Sequence, residues 1–331
     1  MALLRQRAGR GNLPDELTED DAMSAKPLSA AELCDAVRNG RAFEQSRLDR
    51  ILALDAPRGL VEVQGATAWT SIAHELRPGD ERTAAVRTTM PTVGESLSRN
   101  AAGPDGCPAV EHVQSLAVVT PAGELRRASR NRDAELFSLV VGGQGLFGTI
   151  YSVSLRIDKL ARAVEHARQP ERLLFHPGRH SRHCLELLVP PQALDPFLRE
   201  SDRRCSDWRI PLASVELRRT ACEADSFLRW ASRDFAEVKL NFSHCEALGI
   251  AVRSAQLRRE LIDAAIAAGG RFHIASTLDA TREQAESCYP QLTAFLAHKR
   301  RFDPQERLVN PWYRHQRSLL GRPSCEVRWA N

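Results

Sequence analysis

The chain has 331 residues, which at ~150 residues per domain suits two domains. Hydrophobic residues make up 43% and charged residues 27%, a balance that excludes wholesale disorder. The formal net charge is +4, and only four basic residues (Lys26, Lys159, Lys239, Lys299) are lysines. Arginines and acids are interspersed, without the one-sided basic stripe of a nucleic-acid binder. No stretch reaches the ~18 consecutive apolar residues of a membrane helix, and the N-terminus lacks a secretory apolar run. The expected setting is therefore cytoplasmic. The eight cysteines form no C-x-x-C, so reduced thiols are expected rather than disulfides or a zinc ribbon.

In chain order, residues 1–28 read as a loosely ordered lead-in. Ser29-Ala-Ala-Glu32 is a capping box opening a helix with Leu33, Ala36 and Val37 on its apolar stripe, and Gly40 stops it. A strand is expected at 60–64, a short helix at 69–76, and a loop-rich segment over 80–108. Strands 113–119 and 124–128 flank Thr120-Pro121-Ala122-Gly123, a type I turn, and so form a hairpin. Asp133 caps a helix through Leu136, Phe137 and Val140 that Gly142 and Gly143 end; residues 149–157 alternate as a strand.

Beyond 160, strands at 185–189, 213–217, 236–242 and 271–276 alternate with helices near 192–200, 223–232 and 252–267. That mixture predicts an α+β domain with a sheet covered on one side. A final helix is expected at 291–301. The domain boundaries follow as 29–158, 159–290 and a C-terminal segment 291–331.

Gly143-Gln144-Gly145-Leu146-Phe147-Gly148 spells G-x-G-x-x-G. A Rossmann turn needs a strand before it and a helix after; here a helix precedes and a strand follows, so that reading is rejected. By physics alone, the run is a tight helix-to-strand connection. His176, His180, His183 and Cys184 are ligand types, but Pro177 and Gly178 break any helix aligning them, so no metal site is assigned. Candidates for proton transfer are His244, His273, His315 and Tyr313.

The stretch 110–157 (VEHVQSLAVVTPAGELRRASRNRDAELFSLVVGGQGLFGTIYSVSLRI) closely resembles flavoproteins of the vanillyl-alcohol oxidase / p-cresol methylhydroxylase (PCMH) type. Residues 48–69, 92–103 and 289–315 are similar to further segments of that family. The resemblance implies an α+β chain: an incomplete PCMH-type FAD-binding domain plus an α+β substrate domain with an antiparallel sheet. It implies FAD as cofactor and a small-molecule substrate oxidised at a CH–OH group by hydride transfer to flavin. It places Thr92, Gly94, Ser98, Asn100 and Gly103 along the pyrophosphate and ribityl chain. Gly143 and Gly148 let the backbone approach the nucleotide, and Ile150 lies near the adenine. Asn310 contacts the ring region; His315 and Tyr313 are the proton-accepting candidates. For Asn310, capping the helix end before Pro311 is an equal alternative on its chemistry.

The chain departs from the family pattern in four places, one of them at 272–280 (FHIASTLDA), which lacks the Tyr-His pair of the related subgroup. No glycine-rich pyrophosphate loop follows Gly40, Glu95 stands where glycine is usual, and Ala102 stands where histidine is common. A second function therefore stays open: a shortened, non-catalytic relative acting as an interaction or regulatory protein. A third is a nucleotide-binding module without redox chemistry.

Overall fold

A computed structural model describes residues 25–77, 91–103, 105, 107–160, 171–172, 181–244 and 248–321. Residues 1–24 of the lead-in, all of 80–90, His176 and His180 lie outside the described residues. The chain divides into two compact units, the first taking Met1–Asp105, Ala109–Ala167 and Arg301–Leu308, the second holding the rest.

The first unit opens with α1 (Ala30–Arg38). Ser29 Oγ accepts from Glu32 N–H at 3.3 Å, while the Glu32 carboxylate accepts from Leu28 N–H at 3.0 Å, a capping box displaced by one residue. Strands β1 (Ile51–Asp55) and β2 (Leu60–Gln64) form an antiparallel pair, and β1 had no expected counterpart. Then come α2 (Trp69–Leu76), α3 (Val93–Arg99), β3 (Val113–Val119), β4 (Leu125–Ala128), α4 (Ala134–Val140) and β5 (Thr149–Arg156).

The five strands make one antiparallel sheet in the order β1-β2-β5-β3-β4. The expected hairpin is present, and Gly123, at φ 77°, closes its turn by donating to Thr120 O at 2.8 Å. Leu33 and Val37 of α1 pack with Leu48 and Val119, so the helix covers the end of β3.

Two expectations fail here. The segment read as loop contains α3, whose seven residues include a glycine and two serines, too short and too polar to show a 3.6-residue period. Asp133 precedes α4 in the left-handed region (φ 51°) without capping it; its carboxylate pairs with Arg126 at 2.6 Å.

The second unit holds β6 (Glu171–Arg172), β7 (Ser181–Val189), α5 (Leu194–Trp208), β8 (Leu212–Thr220), β9 (Phe235–His244), α6 (Leu248–Ala267) and β10 (Arg271–Phe272). It ends with α7 (Arg282–Cys288), α8 (Leu292–Phe302, whose last two residues count with the first unit) and α9 (Pro311–Gly321). The sheet runs β10-β7-β9-β8-β6, all antiparallel. One face, with Leu185, Leu187, Val238, Leu240 and Phe242, is buried and apolar; α6 packs on it through Leu257, Leu261, Ile262 and Ala265.

No helix forms at 223–232. Buried Glu223 instead folds the segment into a closed loop, its carboxylate accepting from the N–H groups of Asp225 and Ser226, each at 3.0 Å, and from the Ser226 hydroxyl. Glu223 N–H reaches Ala231 O at 2.9 Å, which fixes both ends. Local side-chain bonding of this kind competes with helix. The strand expected at 271–276 stops at Phe272, where a turn takes over. Helices α7 and α9 had no expected counterpart. Six described cysteines are free thiols, and no described helix is long and apolar enough to cross a membrane.

Candidate functional site

In the first unit the residues singled out by sequence gather around α3. Thr92 is its N-cap: Thr92 Oγ1 accepts from Glu95 N–H at 3.2 Å, and its hydroxyl donates to Glu95 Oε2, also at 3.2 Å. Val93 N–H donates to Thr67 O at 3.0 Å and Gly94 N–H to Gly65 O at 2.7 Å. Every backbone donor of the first turn thus has a partner within the chain, and a carboxylate already sits at the positive end of the helix. The approach of Gly94 to Gly65 explains its glycine, since a Cβ would come within 2.6 Å of Gly65 O.

The other end of α3 meets the glycine turn. Gly142 N–H donates to Leu97 O and Gln144 N–H to Ser98 O, both at 2.8 Å, so the turn caps the helix. Asn100 ends α3 in the left-handed region at φ 51°. A Cβ at Gly143 would overlap Leu139 O, and one at Gly148 would overlap the Val118 side chain. Phe147 is fully buried in the turn and meets Phe302 edge-on at 5.8 Å. Ile150 lies in β5, opposite Val118. Gly103 sits against His112, whose imidazole would lie 3.1 Å from an added Cβ; buried His112 bonds through Nε2 to Asp105 at 3.1 Å.

In the second unit, Asn310 Oδ1 accepts from Tyr313 N–H at 2.8 Å, the N-cap of α9. Tyr313 is buried, with Lys299 Nζ 5.8 Å and the Arg317 guanidinium 5.6 Å from its ring centre. His315 is half-buried; burial holds its pKa below the usual imidazole value, partly opposed by Asp279. Two residues apart on one helix, Tyr313 and His315 point roughly 200° apart, so the helix does not bring them together. His273 is buried beside the Trp230 indole (5.0 Å, edge-on), with Nδ1 3.7 Å from Glu186 Oε2. His244 ends β9.

The second sheet holds a constellation that the sequence reading missed. Directly opposed residues of antiparallel strands share a face. The register sets Glu186, Lys239 and Glu216 in one row across β7, β9 and β8; Arg271 of β10, Leu188, Glu237 and Arg218 in the next; and Cys184 opposite Asn241, whose other neighbour is Ser214. Lys239 Nζ lies 3.5 Å from Glu186 Oε1, and Asn241 Nδ2 donates to Ser214 Oγ at 2.9 Å and to Glu216 Oε1 at 3.3 Å. The sheet therefore has one apolar face and one face of acids, bases and amides. The discoverable signal was β9 itself: F-A-E-V-K-L-N-F places Glu237, Lys239 and Asn241 at alternate positions of a central strand.

No family model matches the chain. Parts of it are similar to curated proteins. It is 32% identical over 114 residues to cytokinin dehydrogenase 1 of Arabidopsis thaliana, covering 33% of this chain and 20% of that protein. It is 44% identical over 59 residues to the uncharacterized oxidoreductase ORF5 in fasciation locus of Rhodococcoides fascians, covering 18% and 13%. A third similarity, 37% over 82 residues, is to cytokinin dehydrogenase 3 of Oryza sativa subsp. japonica, covering 23% and 15%. The matched stretches span a fifth or less of these relatives, all three of which are named as dehydrogenases or an oxidoreductase.

Proposed function

We propose that this chain is a relative of the FAD-linked oxidoreductases that keeps their hairpin, helix and glycine-turn framework without their seat for the flavin pyrophosphate. Its role is to bind a small hydroxylated molecule, as an interaction or regulatory protein, on the polar face of the second sheet. One observation carries this reading: the first-turn N–H groups of α3 are all engaged within the chain, and the Glu95 carboxylate sits in that turn on the Thr92 hydroxyl. A pyrophosphate needs such donors and is repelled by such a carboxylate. Thr92, Gly94, Ser98 and Asn100 are used within α3 and in joining it to its neighbours, and Gly143 and Gly148 pack against Leu139 and Val118, which argues against a phosphate seat at these positions. The polar face offers carboxylate acceptors and an ammonium donor together, which suits hydroxyl groups, since these both donate and accept.

The similarity to proteins named as dehydrogenases favours a second reading: an FAD-dependent oxidoreductase acting on a CH–OH substrate, its phosphates held by groups other than those around α3. A visible absorbance spectrum of the protein as isolated, followed by an FAD titration, separates the two. No flavin bands and no saturable binding support the binding-protein reading; a bound flavin reduced by any polyol overturns it.

A further inference from the structure

We propose that the polar face of the second sheet is a proton-operated charge switch centred on Glu237. With Glu237 neutral the charged groups that share the face leave a positive excess; with Glu237 ionised that excess is cancelled. Four other charged groups face Glu237: Glu186 from β7, Glu216 and Arg218 from β8, and Lys239 from its own strand. Arg271 of β10 shares the face as well, opposite Leu188 in the same row, so three bases stand against Glu186, Glu216 and Glu237, and the charge of Glu237 decides whether the set is positive or neutral. His273 joins the set at one remove, through Glu186.

The setting of Glu237 gives it two states. The residue is 5% exposed, and its Oε2 has no hydrogen-bond partner among the described residues. A carboxylate taken out of water with an unmet oxygen is costly, so the group prefers its neutral form. Burial is the largest influence, the Glu186 charge adds to it, and Arg218 and Lys239 oppose it; the outcome is a carboxyl pushed up to about 7. Lys239 keeps its charge through this range. Burial acts to lower its pKa, but Glu186, Cys184, Glu216 and Glu237 outweigh that and hold it above the ordinary lysine value. The switch follows from the arrangement of the face and holds whether or not a flavin binds. Only its use, favouring anionic ligands below neutrality and losing that preference above it, rests on the face being the ligand surface.

A pH titration of the carbon-13-labelled glutamate carboxyls of the full chain, by NMR, tests the switch. In the wild type one glutamate is expected to titrate near neutrality, and Glu237→Gln, which mimics the neutral acid in shape, removes that transition. Glu186→Gln lowers its midpoint and Lys239→Met raises it. The proposal is overturned if every wild-type glutamate titrates in the ordinary acid range, or if the near-neutral transition survives in Glu237→Gln. Should Glu237→Gln fail to fold, an unmoved midpoint in Glu186→Gln overturns it equally.

Discussion

The indole N–H of Trp69 donates to Ser96 Oγ at 2.9 Å, both groups buried, and this bond ties α2 to α3. Removing the acceptor strands a donor that water cannot reach. Ser96→Ala should therefore cost about 1–3 kcal/mol in chemical denaturation. Replacing both partners (Trp69→Phe with Ser96→Ala) should cost less than the sum of the two single changes, because no orphan remains.

The glycine turn is a packing device with no spare volume. Gly143→Ala drives a Cβ into Leu139 O, whereas an alanine at Gly59 meets nothing within 4 Å and faces only its positive φ of 64°. Gly59→Ala should cost ~1–2 kcal/mol, and Gly143→Ala should cost more or prevent folding. Thermal melts of the two variants give the ranking; equal losses would contradict the packing role.

Asn310 can be tested as a cap directly. Its side-chain oxygen accepts from Tyr313 N–H, so Asn310→Asp or Asn310→Ser should keep most of the stability, and Asn310→Ala should lose about 1 kcal/mol. If Asn310→Asp destabilised as much as Asn310→Ala, another contact would have to explain the residue.

Tyr289 links stability to alkaline pH. Its hydroxyl donates to Phe272 O at 2.6 Å and accepts from Ile274 N–H at 3.3 Å. Burial raises its pKa well above the ordinary phenol value. The folded state then holds the proton more tightly than the unfolded state, so this stabilisation is complete below ~10 and is lost as pH rises beyond it. Ultraviolet titration should show Tyr289 ionising only with unfolding, and Tyr289→Phe should flatten the alkaline fall in stability.

Thiol reactivity should divide by burial. Cys222 is exposed, while burial pushes the Cys205 thiol up to about 12 and the Cys288 thiol above its ordinary value. The thiolate is the reactive form. A thiol reagent on the native protein should label Cys222 early and Cys205 and Cys288 only on denaturation; Cys222→Ser should remove one thiol from the early phase.

Much of the first unit was legible because its signals are local. The Thr120–Gly123 turn sets the hairpin, the alternation of 149–156 marks β5, and Gly142–Gly143 stop α4. The polar sheet face was not legible for the opposite reason. Glu186, Glu216 and Glu237 are far apart in sequence, and only the pairing register makes them neighbours. The stretch 223–232 misled because its spacing of Phe227, Leu228 and Trp230 suits a helix, whereas the bonding of one buried carboxylate, Glu223, decides the backbone.

In the first sheet, β5 lies between β2 and β3 although it is the last of the five strands in sequence. A nascent chain released short of residue 149 would carry two hairpins, β1-β2 and β3-β4, each with an inner edge exposed. Such edges invite pairing with other chains. Ribosome stalling upstream of that point should therefore yield aggregates, and translation through residue 156 should be the step that suppresses them.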